Sequence, residues 1–214
     1  DSIGCLQALT ELASKAIDSG NEDLLNRLSQ SQWRSKLLHA FDLGSEPQRW
    51  LIDESVVLTD TFQLPEPAAF RESIGNSLEA VASNDLGRTA TGKRLQAFQK
   101  SMMIDIALEQ FHSGCPIELT LLRISMLAEA IIGWAYLRCY SALTFKYGQP
   151  FRDDRTIARA TLFAAHELGG CELNNDGPVT LLLLADVNGK TNGDRAIGTR
   201  QFFERLAHDI DDLL

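Results

Sequence analysis

The chain has 214 residues, of which 44% are hydrophobic and 23% are charged, and its formal net charge at pH 7 is −9. These values are typical of a globular protein with a sizeable hydrophobic core. The acidic balance argues against a general nucleic-acid binder, which needs clustered Lys and Arg to neutralise phosphates. It also argues against docking on an anionic membrane surface.

The longest apolar stretch, residues 127–137, is interrupted by Glu129 and flanked by Arg123 and Arg138. It is too short and too charged to cross a bilayer core of about 30 Å, and no secretory signal opens the chain. The four cysteines form no Cys-x-x-Cys pair, so buried or half-buried free thiols in a reducing compartment are expected. These features predict a cytoplasmic protein without a membrane partner. The first residue is Asp1 rather than Met, which suggests processing or a longer parent chain.

Residues 1–150 are predicted to be helical, because their apolar residues recur with helical spacing. Ser2 is expected to cap the first helix, which should end at Ser19-Gly20. Its predicted apolar face comprises Leu6, Leu9, Ala13 and Ile17. Asn21 suits the N-cap of a second helix, because acidic residues follow it near the positive helix end.

The same spacing predicts five further helices. One ends near Gly44, a short one lies around Trp50, and a third spans residues 68–81. The fourth ends at Gly114, and the fifth runs from Pro116 to Gly148. Two segments are predicted to be irregular. Residues 53–67 contain prolines that break a long helix, and residues 83–91 are predicted to form a loop.

The periodicity changes after residue 150. Residues 156–165 (TIARATLFAA) and residues 179–185 (VTLLLLA) are predicted to be strands, with a turn at Gly169-Gly170 between them. A loop is predicted over 188–193, and helical spacing returns from Thr199 to Leu214. The predicted fold is mostly α. It comprises a helical region, residues 1–150, and a small α+β segment, residues 151–214.

In this part of the chain, a predicted strand is followed by Gly-Gly, a short segment and a second strand. A nucleotidyltransferase active site has the same order of elements. Glycines let the backbone approach a triphosphate, and a helix start offers free N–H donors to it. The next strand then presents two carboxylates on one face, at i and i+2, to hold divalent metal ions.

The segment Gly169 to Asn174 (GGCELN) resembles the Gly-Gly-x-Glu-Leu-Asn motif of the glutamine synthetase adenylyltransferases, which precedes Ser-Asp-x-Asp. Residues 189–193 (GKTNG) resemble the loop that follows in that family, and residues 202–206 (FFERL) resemble its next helix. The resemblance is to the N-terminal portion of the family and is clearest over residues 120–214. It implies a nucleotidyltransferase-like segment at residues 151–214, with Gly169 and Gly170 as nucleotide-binding positions.

The chain departs from the family where the two metal-binding aspartates are expected. Pro178 and Thr180 stand at those positions. Proline has no carboxylate, and threonine offers one neutral hydroxyl, which is a poor metal ligand. The third acidic ligand of the family would lie beyond Leu214. No metal site is therefore assigned to this chain.

Four other aspartates are candidates to replace the missing pair. Asp176 could reach a metal through a shifted loop, although a turn-forming Asp beside a glycine is the commoner interpretation. Asp186 is expected to be a solvated strand end. Asp209 and Asp211 lie on a predicted helix, where i and i+2 project about 200° apart and cannot converge on one ion. Only Asp176 therefore remains as a catalytic candidate.

The resemblance implies an ancestral reaction in which AMP moves on or off glutamine synthetase, with ATP and Mg²⁺. We expect a fragment or degenerate member of that family that is inactive alone and needs no cofactor of its own. Its implied partner is glutamine synthetase or a nitrogen-signalling protein. Two alternatives stay open: a helical protein-interaction module with a vestigial nucleotide site, and an active enzyme whose acids come from an unusual loop or another chain.

Overall fold

The computed structural model describes residues 2–53, 56, 58, 63–82, 87–174 and 177–214. The helical part comprises α1 (Ser2–Ser19), α2 (Glu22–Ser29), α3 (Ser31–Asp42), α4 (Ser45–Asp53), α5 (Pro67–Ala82), α6 (Arg88–Ser113) and α7 (Ile117–Tyr147). The remainder comprises β1 (Pro150–Arg152), β2 (Ala160–Ala165), α8 (His166–Gly169), β3 (Thr180–Ala185), β4 (Gly189–Thr191) and α9 (Thr199–Asp211). The prediction of a mostly α fold with a small α+β segment near the carboxyl end is confirmed.

The chain forms two compact units. The N-terminal unit contains Asp1–Phe70 and Gln96–Thr120, and the C-terminal unit contains Arg71–Leu95 and Leu121–Leu214. The boundary expected at residue 150 stays a prediction. None of the helices in the described ranges is long and apolar enough to cross a membrane.

Helix α1 buries a different face from the predicted one. Its residues in the N-terminal core are Cys5, Ala8, Leu12 and Ala16. Leu6 and Ile17, which belonged to the predicted apolar face, are exposed. The two stripes have the same helical spacing and lie one residue apart, so periodicity alone cannot distinguish them. The small side chains of the buried stripe face the neighbouring helices α2, α3 and α4.

An ion pair lies inside the N-terminal unit. Lys36 on α3 donates to Asp105 on α6, with 2.6 Å between Lys36 Nζ and Asp105 Oδ1. Both side chains are only 1% exposed. One turn further along α6, the buried Glu109 accepts a hydrogen bond from the backbone N–H of Leu64. Helix α6 therefore presents two carboxyl groups to the interior of this unit, and each has a polar partner there.

The helix starts follow local chemistry in one case and tertiary contacts in another. Asn21 caps α2 as predicted, because its side chain accepts from the backbone N–H of Leu24. Helix α6 begins at Arg88, within the segment predicted as a loop, whereas residues 83–86 lie outside the described residues. Arg88 forms ion pairs with Asp209 and Asp212, so α9 holds the start of α6 in place.

Two antiparallel ribbons form the β part. Strand β2 pairs with β3 over its whole length, from Ala160 opposite Ala185 to Ala165 opposite Thr180. Strand β1 pairs with β4. The predicted strand over 156–165 is shorter than expected, because its first residues hydrogen-bond to β1 instead, with Arg152 N–H donating to Thr156 O.

The four cysteines are free thiols, as predicted. Cys5 and Cys139 are buried and Cys115 is half-buried, but Cys171 is exposed. This last position is a correction to the expected burial. Its physical reason is local, because Cys171 lies in the exposed turn after Gly170, where its backbone is left-handed (φ 58°).

Candidate functional site

The Gly-Gly pair lies at the end of a single helical turn. Strand β2 ends at Ala165, the chain turns at His166 (φ 57°), and α8 ends at Gly169. The backbone N–H groups of Gly170, Cys171 and Glu172 donate to carbonyl oxygens of α8, over 3.1, 3.1 and 2.9 Å. These donors close the turn on itself. They are therefore engaged within the chain rather than directed at a ligand.

The two glycines have different local requirements. A Cβ at Gly169 would lie 2.7 Å from the carbonyl oxygen of Ala164, so a side chain there would push against the end of β2. A Cβ at Gly170 would meet only ordinary contacts, at 3.7 and 3.8 Å. Position 169 therefore requires glycine because the turn passes close to the end of β2, and this requirement does not depend on a bound nucleotide.

The turn is anchored to the long helix α7. The buried N–H of Leu173 donates to Ser125 Oγ over 3.1 Å, and both residues are buried in the C-terminal unit. This bond fixes the middle of the Gly169 to Asn174 segment. The sequence indicated Ser125 only weakly, as one hydroxyl inside an apolar stretch of helix.

Replacing Ser125 with alanine is expected to destabilise the C-terminal unit by about 1–3 kcal/mol, because the buried Leu173 N–H loses its acceptor. Chemical denaturation measures this loss, and hydrogen exchange at the Leu173 amide should become faster. Ser141 is an exposed position of the same helix. Ser141→Ala is therefore the control and should change stability by less than about 0.5 kcal/mol. Equal effects of both substitutions would contradict the anchoring role.

The two positions that the resemblance matches to the family aspartates lie at the start of β3. Pro178 is exposed and precedes the strand, and Thr180 is the first residue of the strand, directly opposite Ala165. Asp176, the remaining catalytic candidate, lies outside the described residues. The structure thus places a pyrrolidine ring and one hydroxyl where the resemblance requires two carboxylates.

One face of the β2–β3 ribbon is apolar and exposed. Side chains alternate along a strand, so Leu182 and Leu184 share the face of Thr180. Phe163 lies directly opposite Leu182 on β2 and completes this patch. Phe163, Leu182 and Leu184 are all exposed. We call these three residues with Thr180 the outer face.

The opposite face of the ribbon is covered within the C-terminal unit. Ala160, Leu183 and Ala185 pack against a core that includes Phe202 and Leu206 of α9. Residues 202–206, which resemble the family, therefore belong to a helix that packs against the covered face of the ribbon.

Glu167 brings a carboxyl group to the turn. Its Oε2 is buried and has no hydrogen-bond partner among the described residues. A Cβ on Gly177 would overlap this oxygen, so the carboxyl lies directly beside the segment that leads into β3. An ionised carboxylate only accepts hydrogen bonds, and it repels phosphate. Sequence reasoning did not select Glu167, although its adjacency to Gly169-Gly170 was a usable signal.

Two of the other aspartates, Asp186 and Asp209, have structural partners. Asp186 Oδ2 accepts from the backbone N–H of Arg159 over 3.0 Å and closes the end of the β2–β3 ribbon. Asp209 pairs with Arg88 over 2.6 Å, and this hydrogen bond raises the pKa of the guanidinium. Asp211 is exposed. In the part of the chain that the structure describes, no three His, Cys, Asp or Glu side chains form a group able to hold a metal ion.

The segment after β3 forms part of the β1–β4 ribbon and does not contribute to the outer face. Gly189–Thr191, predicted as a loop, forms β4. The backbone N–H of Gly193 then donates to Tyr147 O at the end of α7, and the N–H of Asn192 donates to Gln149 O just after it. Gln149 N–H donates to Asn192 Oδ1 over 2.8 Å. This part of the family pattern therefore joins the strands to α7.

The comparison with known families agrees with these elements. The family model described as glutamate-ammonia ligase adenylyltransferase matches residues 7–214. The match covers the helical region as well as the ribbon and α9, and so extends well before residue 120. The chain belongs to the glutamate-ammonia ligase adenylyltransferase family.

Proposed function

We propose that this chain binds glutamate-ammonia ligase, which is glutamine synthetase, and that it does not transfer AMP by itself. The observation that supports this most strongly is the chemistry of the outer face. Where the family resemblance requires a metal-binding carboxylate pair, the face carries Thr180 with exposed Phe163, Leu182 and Leu184.

Nucleotidyl transfer needs groups that neutralise a triphosphate. Divalent ions supply this charge, and carboxylate oxygens hold those ions. Leucine and phenylalanine provide no such ligand and disfavour buried charge. The hydrogen-bonded turn amides and the Glu167 carboxyl give further support, because neither offers a phosphate a donor.

The outer face has the properties of a protein contact instead. Exposed aromatic and aliphatic side chains on a strand ribbon mark interaction surfaces more often than catalytic ones. The family description names the ligase on which these proteins act. A helical interaction module that has a partner other than the ligase is the second candidate, and it rests on the same exposed face.

The test is a binding experiment with purified glutamine synthetase immobilised on a biosensor. We expect the chain to bind without ATP and expect Leu184→Lys to weaken binding at least tenfold. Leu184 is 63% exposed and Leu137 on α7 is 65% exposed. Leu137→Lys is therefore a matched control and should leave binding unchanged.

A parallel assay with radiolabelled ATP, Mg²⁺ and glutamine synthetase should transfer no label. Transfer of label would establish the active-enzyme alternative. Absence of binding by the wild-type chain would exclude the ligase as its partner and leave the interaction module with another partner.

A further inference from the structure

The N-terminal unit contains a cavity of about 520 Å³ that the proposed function does not use. Its wall is mainly apolar, and the contributing side chains are Leu12, Leu24, Leu37, Leu51, Ile52 and Val56. Small-molecule sites in proteins typically have volumes of about 300–1,000 Å³ and a mainly apolar lining with few polar groups. The volume of the cavity lies in this range, and its apolar side chains are accompanied by polar and charged ones.

Trp33 also lines this cavity and supplies an unused donor. The residue is only 4% exposed, and its Nε1 is buried without a hydrogen-bond partner among the described residues. Buried indole N–H groups usually have an acceptor, because a buried donor without a hydrogen bond destabilises the fold. No described residue accepts a hydrogen bond from Trp33 Nε1, so this donor is available to a molecule that occupies the cavity.

The charged rim narrows the chemical class of that occupant. Lys15 Nζ lies 2.5 Å from Asp53 Oδ1, and Arg27 Nε lies 3.4 Å from Asp23 Oδ2. All four residues line the cavity. Both rim cations are thus already paired with carboxylates, which disfavours an anionic ligand.

We propose that this cavity binds a neutral, mainly apolar small molecule that places one acceptor oxygen against Trp33 Nε1. The apolar wall holds the body of the molecule, and the indole N–H fixes its orientation. This site is independent of the outer face and of the proposed binding to glutamine synthetase.

The experiment uses two probes of equal shape. Acetophenone carries a carbonyl oxygen, and α-methylstyrene carries a methylene group in its place. Each is titrated into the ¹⁵N-labelled chain, whose three tryptophans give three indole N–H resonances. We expect the Trp33 resonance, identified by its loss in Trp33→Phe, to move saturably downfield with acetophenone.

Variants then separate the hydrogen bond from the apolar fit. Trp33→Phe keeps an aromatic ring and removes the donor, so acetophenone should bind about two- to tenfold more weakly while α-methylstyrene is unaffected. Trp50 packs against the same core without lining the cavity, so Trp50→Phe should leave both affinities unchanged. Unaltered acetophenone binding by Trp33→Phe would overturn the proposal. The proposal would also be overturned if neither probe shifted the Trp33 resonance of the wild-type chain saturably.

Discussion

Replacing Lys36 with methionine is expected to destabilise the N-terminal unit by about 3–5 kcal/mol. Lys36 and Asp105 are both 1% exposed, and their charged atoms lie 2.6 Å apart. Methionine has nearly the volume of lysine and keeps the apolar stem packed. The loss therefore comes from the Asp105 carboxylate, which remains buried without its cation.

The double variant Lys36→Met, Asp105→Leu is the control for this prediction. Removing both charges removes the desolvation cost with them, so its stability should return to that of the wild type or exceed it. Urea denaturation followed by fluorescence in a Trp134→Phe background reports on this unit, because Trp33 and Trp50 both lie in it. A Lys36→Met variant within about 1 kcal/mol of the wild type would show that Asp105 is satisfied without the ammonium group.

Replacing Gly148 with alanine is expected to destabilise the C-terminal unit by about 2–5 kcal/mol. Gly148 has a left-handed backbone (φ 85°), which costs a residue with a Cβ about 1–2 kcal/mol. An added Cβ would also overlap the backbone nitrogen of Gly193, and relieving such overpacking costs about 1–3 kcal/mol. The contact with Gly193 cannot relax through a side-chain rotation, because a Cβ is fixed by its own backbone and the Gly193 atoms that it meets are backbone atoms.

Gly133→Ala is the matched control in the same region of the chain. Gly133 lies inside α7, and nothing approaches its Cβ position within 4 Å. Alanine there should stabilise the unit by about 0.5–1 kcal/mol, since glycine is the weaker helix former. Thermal unfolding of the two variants measures the contrast. A Gly148→Ala variant as stable as the wild type would mean that the Asn192-Gly193 segment moves away at little cost.

The helices of this fold could be predicted from the sequence, but not their orientation. Asn21 was correctly identified as a cap because capping depends on residues close in sequence. The buried face of α1 was wrong because two stripes of equal spacing compete, and neighbouring helices choose between them. The start of α6 at Arg88 was missed because Arg88 pairs with α9, more than a hundred residues later in the chain.

The short strands were harder to predict for a similar reason. Strand β1 consists of Pro150–Arg152 and pairs with Gly189–Thr191, so each strand exists only because the other is present. Three residues carry too little periodicity to reveal a strand. The longer strands β2 and β3 were found because six consecutive residues each are apolar or β-branched enough to indicate a buried ribbon.

At the candidate site, the sequence contains a segment that resembles the Gly-Gly-x-Glu-Leu-Asn motif of the family. The replacement of the family aspartates by Pro178 and Thr180 stays a prediction. The exposure of Leu182 and Leu184 was not predicted, because an apolar run is typical of a strand buried on both faces. The anchoring of the turn by Ser125 depends on a contact across 48 residues and had no local signal.

The proposed function requires that the outer face hold no metal–triphosphate site, and calorimetric titration of ATP tests this most directly. ATP is titrated into the purified chain with and without Mg²⁺. We predict no binding heat in either condition, because Thr180, Leu182 and Leu184 offer no carboxylate to a metal ion. Metal-dependent binding tighter than about 1 mM, corresponding to about −4.1 kcal/mol, would contradict the account and would require acidic ligands from another part of the chain.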